Sequence, residues 1–219
     1  PSLVQVKTDP TYPRSLKGVK TDARLRLCRG KTVLAENEGE ILFTEYGVSG
    51  PAVFEISRQV AIGGEGLTLH LDLWAEKSHK EICSHLARRC RSKAGCAGSE
   101  QTAGCIFAGV LHSRLGQVVV KAAGLSPAAP LGSLQAADLA ALAAQCKDFP
   151  LPVTGTCGFD QAQVTAGGLD TAEFDPHTLQ SRLVSGLYAC GELLDIDGDC
   201  GGYNLQWAWS SGRLAGKLL

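Results

Sequence analysis

A glutamate and a glycine pair near the C-terminal end are the residues whose types and spacing best permit ligand chemistry. Glu192 follows an apolar run at 187–190 that predicts a short buried strand, and its carboxylate can accept hydrogen bonds from sugar or ribityl hydroxyl groups. After eight intervening residues, Gly201 and Gly202 precede a predicted helix from about Tyr203 to Leu218. Because glycine has no Cβ, the backbone there can approach a ligand closely. Together these features predict an α/β ligand crevice.

The start of that helix adds a preference for negative charge. Its first-turn N–H groups, at Tyr203, Asn204 and Leu205, have no partner within a helix and carry the positive end of the helix dipole. Such an end would stabilise the charge that accumulates at the N1–C2=O edge of a flavin on reduction. Each feature also has a simpler interpretation, because a glycine pair often marks only a turn and a glutamate after a strand is often solvated.

The cysteines and histidines do not predict a second site. None of the nine cysteines forms a Cys-x-x-Cys pair and the five histidines are scattered, so we predict no metal site. Cys200, beside the glycine pair, is either a redox-active thiol or incidental to the chemistry. The other cysteines are typical of a reduced, cytoplasmic protein that uses Cys as a small apolar residue. The catalytic residues stay unassigned.

The composition argues against nucleic acid and membranes as partners. The chain has 219 residues, of which 44% are hydrophobic, and a formal net charge of -1. This charge gives no electrostatic reason to expect nucleic acid as a partner. A run of about 18 apolar residues, which a membrane span needs, is not found, so no membrane association is expected.

The first 77 residues are predicted to be mainly β-structure. Alternation of apolar and polar residues predicts a meander of three strands, with turns at Gly30 and at Glu38-Gly39, and a further strand at 67–73. Between them, Ser49 is a good N-cap for a short helix whose first turn contains Pro51.

Two further segments follow. Residues 78–148 predict a small helical subdomain of three amphipathic helices, the first capped by Ser78, the others at 101–123 and 134–146. Residues 149–219 return to β-structure before the final helix. The strands predicted in this last segment lie at 150–157, 161–165 and 187–190.

The motifs resemble those of one bacterial flavoprotein family. Residues 186–216, GLYACGELLDIDGDCGGYNLQWAWSSGRLAG, are similar to the C-terminal signature of the BaiN-like or NAD(FAD)-utilizing dehydrogenases, also called aminoacetone-oxidase-like. Residues 158–168 and 42–51 resemble the same family. The resemblance therefore spans nearly the whole chain in the family's order.

The resemblance implies an α+β fold and a redox activity. A β-barrel-like insert with a small helical bundle would be followed by the C-terminal portion of a Rossmann-type FAD-binding domain. The parent protein would transfer hydride between NAD(P)H, FAD and a small organic or steroid-like substrate. Glu192 would hold the ribityl chain, residues 201–205 would approach the flavin ring and residues 165–168 would form a nearby wall. The cofactor-binding residues implied are Gly191, Glu192, Gly201, Gly202, Tyr203, Asn204, Leu205, Thr165, Gly167 and Gly168.

One departure from the family is large. The Gly-x-Gly-x-x-Gly turn that holds the FAD pyrophosphate is not found in these residues. We therefore expect this chain to depend on a missing N-terminal FAD-binding domain, to bind FAD weakly alone and to lack turnover. Exposed strand edges and an uncovered helix face would favour self-association. The alternative is a non-catalytic binding, lid or structural module of a flavoprotein.

Overall fold

A computed structural model describes residues 1–91 and 101–217, and in this part of the chain six strands close into an antiparallel barrel. The strands are β1 (Val6–Thr8), β2 (Lys20–Arg29), β3 (Thr32–Phe43), β4 (Gly47–Ser49), β5 (Leu67–Asp72) and β6 (Phe149–Thr156). Around the barrel they follow the order β1, β4, β3, β2, β5, β6.

Alternating side chains explain the barrel wall. In the β2–β5 pair, Leu25 lies opposite Leu71 and Leu27 opposite Leu69, and all four side chains are fully buried. Arg24, the residue before Leu25, points to solvent and pairs with Glu38 of β3. The alternation of apolar and polar residues predicted β2 and β5, and the period-two burial of their side chains confirms both strands.

The predicted meander is wrong in one respect, because β3 runs without a turn through Glu38-Gly39. Gly39 pairs with Ala23 of β2 inside one continuous ladder. A Cβ on Gly39 would contact the Cβ of Ala52 at 3.5 Å. This glycine therefore provides room for a helix against the strand, rather than a reversal of the chain.

Six helices accompany the strands in the described residues: α1 (Pro13–Leu16), α2 (Pro51–Gly63), α3 (His79–Arg91), α4 (Ser113–Ala122), α5 (Ala136–Lys147) and α6 (Tyr203–Gly216). None of them combines the length and the apolar character that crossing a bilayer requires. The predicted Ser49 cap of α2 is wrong, since Gly50 occupies the N-cap position. Gly50 has φ +107°, and a Cβ there would lie 2.7 Å from the Glu40 carbonyl oxygen.

The helical subdomain packs on the barrel and shares its core. Ile82 and Leu86 of α3, Leu115 of α4 and Leu142 of α5 are fully buried in the same cluster as the barrel leucines. Ser78 caps α3 as predicted, because its hydroxyl accepts from the Glu81 N–H at 3.3 Å. The helix predicted over 101–123 is shorter, since α4 begins only at Ser113.

This subdomain is an excursion between two paired strands. β5 and β6 are neighbours in the barrel, with Leu71 opposite Phe149. The Leu73 N–H also donates to the Cys146 carbonyl at 2.9 Å. The two ends of the helical excursion therefore meet beside the barrel. The proposed division at residue 149 separates β6 from the barrel that β6 closes.

After β6, the chain forms little regular structure before α6. The segments predicted as strands at 161–165 and 187–190 each take part in one isolated bridge, Ser2 with Val164 and Gln180 with Tyr188. A second, small core contains Phe174, Leu179, Ala189 and Leu194. Without a ladder of neighbouring strands in the described chain, the β-propensity of these segments produces only single, isolated bridges.

The eight cysteines in the described part are all free. Cys146 is fully buried in the main core, and burial raises the pKa of its thiol to about 12. At neutral pH this thiol stays protonated, so it acts as a small apolar side chain.

Gly47→Ala tests the closure of the barrel. An added Cβ would lie 2.2 Å from the Val6 carbonyl oxygen, in the β1–β4 pair. We expect a loss of about 2–4 kcal/mol in the free energy of unfolding, measured by urea denaturation. Gly64→Ala is the control, because its φ is +69° yet no atom lies within 4 Å of the added Cβ. A smaller loss of about 1–2 kcal/mol is expected there. Equal losses would contradict the steric explanation.

Candidate functional site

A cavity of about 350 Å³ opens at the start of α6. It lies where the N-terminal segment, the 191–202 region and α6 meet. The residues that line it are Leu3, Gln163, Val164, Glu192, Ile196, Asp199, Gly201, Gly202, Asn204, Leu205, Trp207 and Ala208. Its wall thus combines apolar side chains with two carboxylates and a helix N-terminus.

The helix N-terminus is held open toward the cavity by its glycines and by Asn204. Gly202 is the N-cap in the left-handed conformation, with φ +91°, which glycine adopts without strain. The Asn204 amide both donates to the Gly198 carbonyl and accepts from the Gly198 N–H, each at 2.9 Å. Asn204 therefore fixes the preceding loop against α6. The dipole of α6 favours a negatively charged group at this end.

Glu192 projects into the cavity from a backbone that is tied to α6. The Gly191 N–H donates to Ser211 Oγ at 2.9 Å, and the Gly191 carbonyl accepts from Trp207 Nε1 at 3.0 Å. The Glu192 carboxylate accepts a hydrogen bond from the Thr165 N–H. Glu192 thus has a fixed position relative to the helix end.

The ten cofactor-binding residues predicted from the sequence fall into two groups. Five line the cavity: Glu192, Gly201, Gly202, Asn204 and Leu205. The other five do not line it. Thr165 reaches it only through Glu192, Gly191 lies behind Glu192, and Tyr203 is largely exposed to solvent.

Of the two remaining predicted residues, Gly167 is exposed with no atom within 4 Å of an added Cβ, whereas Gly168 lies against the backbone that follows Glu192. A Cβ on Gly168 would lie 2.6 Å from the Leu193 carbonyl oxygen. Beside it, the Leu169 N–H donates to the same oxygen at 2.7 Å. Gly168 therefore permits two backbone segments to meet.

Sequence reasoning missed the part of the wall that comes from the N-terminus. The Ser2 N–H donates to the Val164 carbonyl at 3.0 Å, which brings Leu3 into the cavity wall. Leu3 has φ +48°, an uncommon conformation for a residue with a side chain. Nothing in the local sequence signals this long-range pairing.

The loop at 195–200 is fixed to α2 by two side chains that sequence reasoning also missed. Arg58 forms an ion pair with Asp197, whose side chain is only 9% exposed, and Ser2 Oγ donates to the same carboxylate at 3.2 Å. One turn earlier on α2, Glu55 accepts from the Cys200 N–H at 2.7 Å. Their spacing of three places both side chains on one helix face. Asp197 therefore anchors the loop.

Glu55 has a second neighbour, the cavity residue Asp199. Burial raises the pKa of the Glu55 carboxyl group, and the nearby Asp199 carboxylate raises it further, while the Cys200 N–H partly opposes both effects.

Most of α6 faces solvent. Ser211 is its only buried residue within the described chain, while Leu205 and Trp209 are 59% and 66% exposed. Leu193, beside Glu192, is 66% exposed. A helix with this much uncovered apolar surface is unusual for an isolated domain.

A second groove, of about 260 Å³, lies along α3. The Trp74 ring meets His85 edge-on, with ring centroids 5.2 Å apart. Burial lowers the pKa of His85, and the nearby Arg88 lowers it further. Positive charge dominates this groove, which is lined by Trp74, Lys77, Lys80, Glu81, Ser84, His85 and Arg88.

The fold and the site define a class: a β-barrel with a helical subdomain, joined to a segment in which a glycine-rich helix start lines a cavity. Comparison with known proteins identifies the family. The family model described as "HI0933-like protein barrel and H2TH domain" matches residues 1–164, so the chain belongs to the HI0933-like family. The resemblance to the BaiN-like flavoproteins and the α+β barrel fold are thereby confirmed.

Several named proteins are similar to this chain, and three of them illustrate the extent of the match. The chain is 40% identical to the 3-dehydro-bile acid delta(4,6)-reductase of Clostridium scindens, over 99% of this chain and 53% of the relative. It is 36% identical to the ribosomal RNA dihydrouridine synthase of Escherichia coli, over 82% of this chain and 41% of that protein. The Haemophilus influenzae protein of the same name is 29% identical, over 90% and 45% respectively. The chain therefore spans about half the length of these relatives.

Arg58→Met tests whether α2 holds the 195–200 loop. The change leaves the mostly buried Asp197 carboxylate without its cation, so we expect a loss of about 1–3 kcal/mol in unfolding free energy. Amide hydrogen exchange at 195–200 should accelerate. Lys20→Met is the control, because Lys20 and Glu40 form an exposed pair, where about 0–1 kcal/mol is expected. Unchanged exchange in the loop would contradict the anchoring role.

Proposed function

We propose that this chain is part of a flavin-dependent oxidoreductase whose cofactor is FAD. The observation that carries the proposal is the cavity at the N-terminus of α6, where Glu192 faces the Gly201–Gly202 turn. The Glu192 carboxylate can accept hydrogen bonds from a hydroxyl-rich chain. The N-terminus of α6 can stabilise the edge of a ring system that becomes negative on reduction. Neither a solvated carboxylate nor a simple turn requires such a cavity.

The residues have separate tasks in this proposal. Glu192 accepts hydrogen bonds from ribityl hydroxyl groups, and the first-turn N–H groups of α6 meet the N1–C2=O edge of the ring system. Asn204 holds the loop so that these N–H groups stay directed at the cavity. When bound, the flavin supplies the capacity to accept and donate hydride. The electron donor in our proposal is NAD(P)H.

The names of the relatives support a substrate class. A delta(4,6)-reductase of a 3-dehydro-bile acid and a dihydrouridine synthase both saturate a carbon–carbon double bond conjugated with a carbonyl group. We therefore propose a small organic or steroid-like substrate with such a conjugated bond. The higher identity to the bile acid reductase favours the steroid-like substrate over a nucleoside.

The uncovered surface of α6 supports the need for a further domain. Leu193, Leu205 and Trp209 present apolar area beside the cavity, and the curated relatives are about twice as long as this chain. A Rossmann-type FAD-binding domain, preceding this chain in the complete protein, would cover that area and supply the pyrophosphate site. Without it, the same surface would promote self-association.

Titration with FAD, followed by absorbance and flavin fluorescence, tests this proposal. We expect weak binding to the present chain and tight binding once the preceding domain is joined to it. Glu192→Ala in the joined protein should weaken binding by about 10–100-fold, because a charge-assisted hydrogen bond is lost. Glu173→Ala removes an exposed carboxylate away from the cavity lining and should leave binding unchanged. A joined protein that stays colourless would favour the alternative, a non-catalytic lid or structural module.

A second candidate substrate is a pyrimidine base in RNA. The groove on α3 favours it, because Trp74 offers an aromatic face and Lys77, Lys80 and Arg88 offer positive charge to phosphates. The overall charge of -1 argues against it.

RNA binding is measurable by fluorescence anisotropy with a labelled single-stranded RNA. If the groove binds RNA, Lys80→Gln with Arg88→Gln should weaken binding and reduce the salt slope by about 2. Lys31→Gln with Lys121→Gln makes the same charge change on exposed residues outside the groove lining and should have less effect. Equal effects of the two double variants, or no binding, would exclude this candidate.

A further inference from the structure

Two side chains of α6 hold the backbone that carries Glu192. The Gly191 N–H donates to Ser211 Oγ at 2.9 Å, and the Gly191 carbonyl accepts from the Trp207 indole N–H at 3.0 Å. Gly191 lies directly against the helix, because a Cβ added to it would meet the Cα of Ala208 at 3.7 Å. Both backbone polar groups of this one residue are therefore bound by side chains of α6.

The Ser211 hydroxyl has no proton left for a ligand. The residue is 1% exposed, and while its hydroxyl accepts from Gly191 it donates to the Trp207 carbonyl at 2.6 Å. A hydroxyl has a single proton to donate, and this contact uses it. Ser211 is also not among the residues that line the cavity. Its hydrogen bonds therefore serve the shape of the site.

The place of attachment along α6 determines how far Glu192 lies from the helix N-terminus. Trp207 and Ser211 lie about one and two turns after Tyr203, the first residue of the helix, or about 6 and 12 Å along its axis. A shift of the attachment by one turn would move Glu192 by about 5.4 Å relative to the first-turn N–H groups. Because this shift exceeds the length of a hydrogen bond, a ligand bound at both ends would lose one of its contacts.

The segment at 165–169 holds Glu192 from another side. The Thr165 N–H donates to the Glu192 carboxylate, and the Leu169 N–H donates to the Leu193 carbonyl at 2.7 Å. These contacts do not involve α6, so they do not set the position of Glu192 along that helix. Trp207 also packs against the small core, but apolar packing is not directional.

We propose that Ser211 and Trp207 are positioning residues, which hold Glu192 at the distance from the N-terminus of α6 that the bound cofactor spans. This inference rests on the proposed function of the cavity. Ser211 acts through Gly191 alone. Trp207 has a second task, because it is the aromatic residue among those that line the cavity. Its hydrogen bond to Gly191 fixes the orientation of that part of the wall.

Amide hydrogen exchange in the full chain tests the attachment without any cofactor. Ser211→Ala leaves the buried Gly191 N–H without its acceptor, so its exchange should accelerate by about 10-fold or more. Ser210→Ala is the control and should leave this rate unchanged, because Ser210 is exposed on the same helix and accepts from Gln206 Nε2. Equal protection of Gly191 in Ser211→Ala and in the unchanged chain would overturn the proposal.

Trp207→Phe is a second variant, which decides the question if Ser211→Ala folds poorly. It keeps an aromatic side chain in the cavity wall and removes the indole N–H that Gly191 accepts. We expect faster exchange at Gly191 in this variant as well. Trp209→Phe, at a position that is 66% exposed, should not change the rate. Equal rates in the two tryptophan variants would contradict the role of the indole N–H.

A double-mutant cycle tests whether Ser211 acts through Glu192, in the protein joined to its preceding domain. Ser211→Ala should weaken FAD binding by about 10-fold, but by less than about 2-fold when Glu192→Ala is already present. The same loss in both backgrounds would mean that Ser211 supports only the fold, and would overturn its positioning role. An unchanged joined protein that fails to bind FAD would refute the proposed function instead, while the exchange rates at Gly191 would still report the attachment.

Discussion

The attachment of the 195–200 loop to α2 is the contact on which the site depends. Residues 1–91 and 101–217 contain two hydrophobic cores of very different size, and the smaller one contains only four buried residues, Phe174, Leu179, Ala189 and Leu194. Such a core stabilises little by itself. Polar contacts connect it to the barrel, chiefly the Arg58–Asp197 ion pair and the hydrogen bond from Cys200 to Glu55. The geometry of the cavity is thus imposed by the barrel side.

That arrangement also explains why the N-terminal residues belong to the site. Residues 2–5 run beside 157–164, and the Gln163 N–H donates to the Leu3 carbonyl at 3.2 Å. The Val4 N–H donates to Ser57 Oγ, on the same helix as Glu55 and Arg58. One helix of the barrel therefore organises two separate stretches of the cavity wall. A cofactor bound there would contact residues whose positions are set by α2.

How far the sequence predicts this structure depends on the range of each interaction. Strand alternation and helix capping are local, and they correctly predicted β2, β5 and the Ser78 cap. The family was predicted separately, from the resemblance of short motifs. The Gly39 turn was a wrong prediction because glycine serves there to admit Ala52 from another element, which no local rule reveals. Glu192, Gly202 and Asn204 were predicted as site residues because they lie within one short motif. Leu3, Glu55 and Arg58 were not, since each meets its partner more than a hundred positions away.

The position of the helical subdomain between β5 and β6 has a consequence for how the family can vary. Because Leu73 and Cys146 are joined by a hydrogen bond, the chain leaves the barrel and returns to it at two adjacent points. A tight hairpin of two to five residues is the ordinary connection between such antiparallel neighbours. The helices can therefore be enlarged, shortened or exchanged while the strand order stays intact, as long as the side chains that they contribute to the shared core are replaced by others of similar volume. The helical subdomain can in this way diverge independently of the cavity at the start of α6.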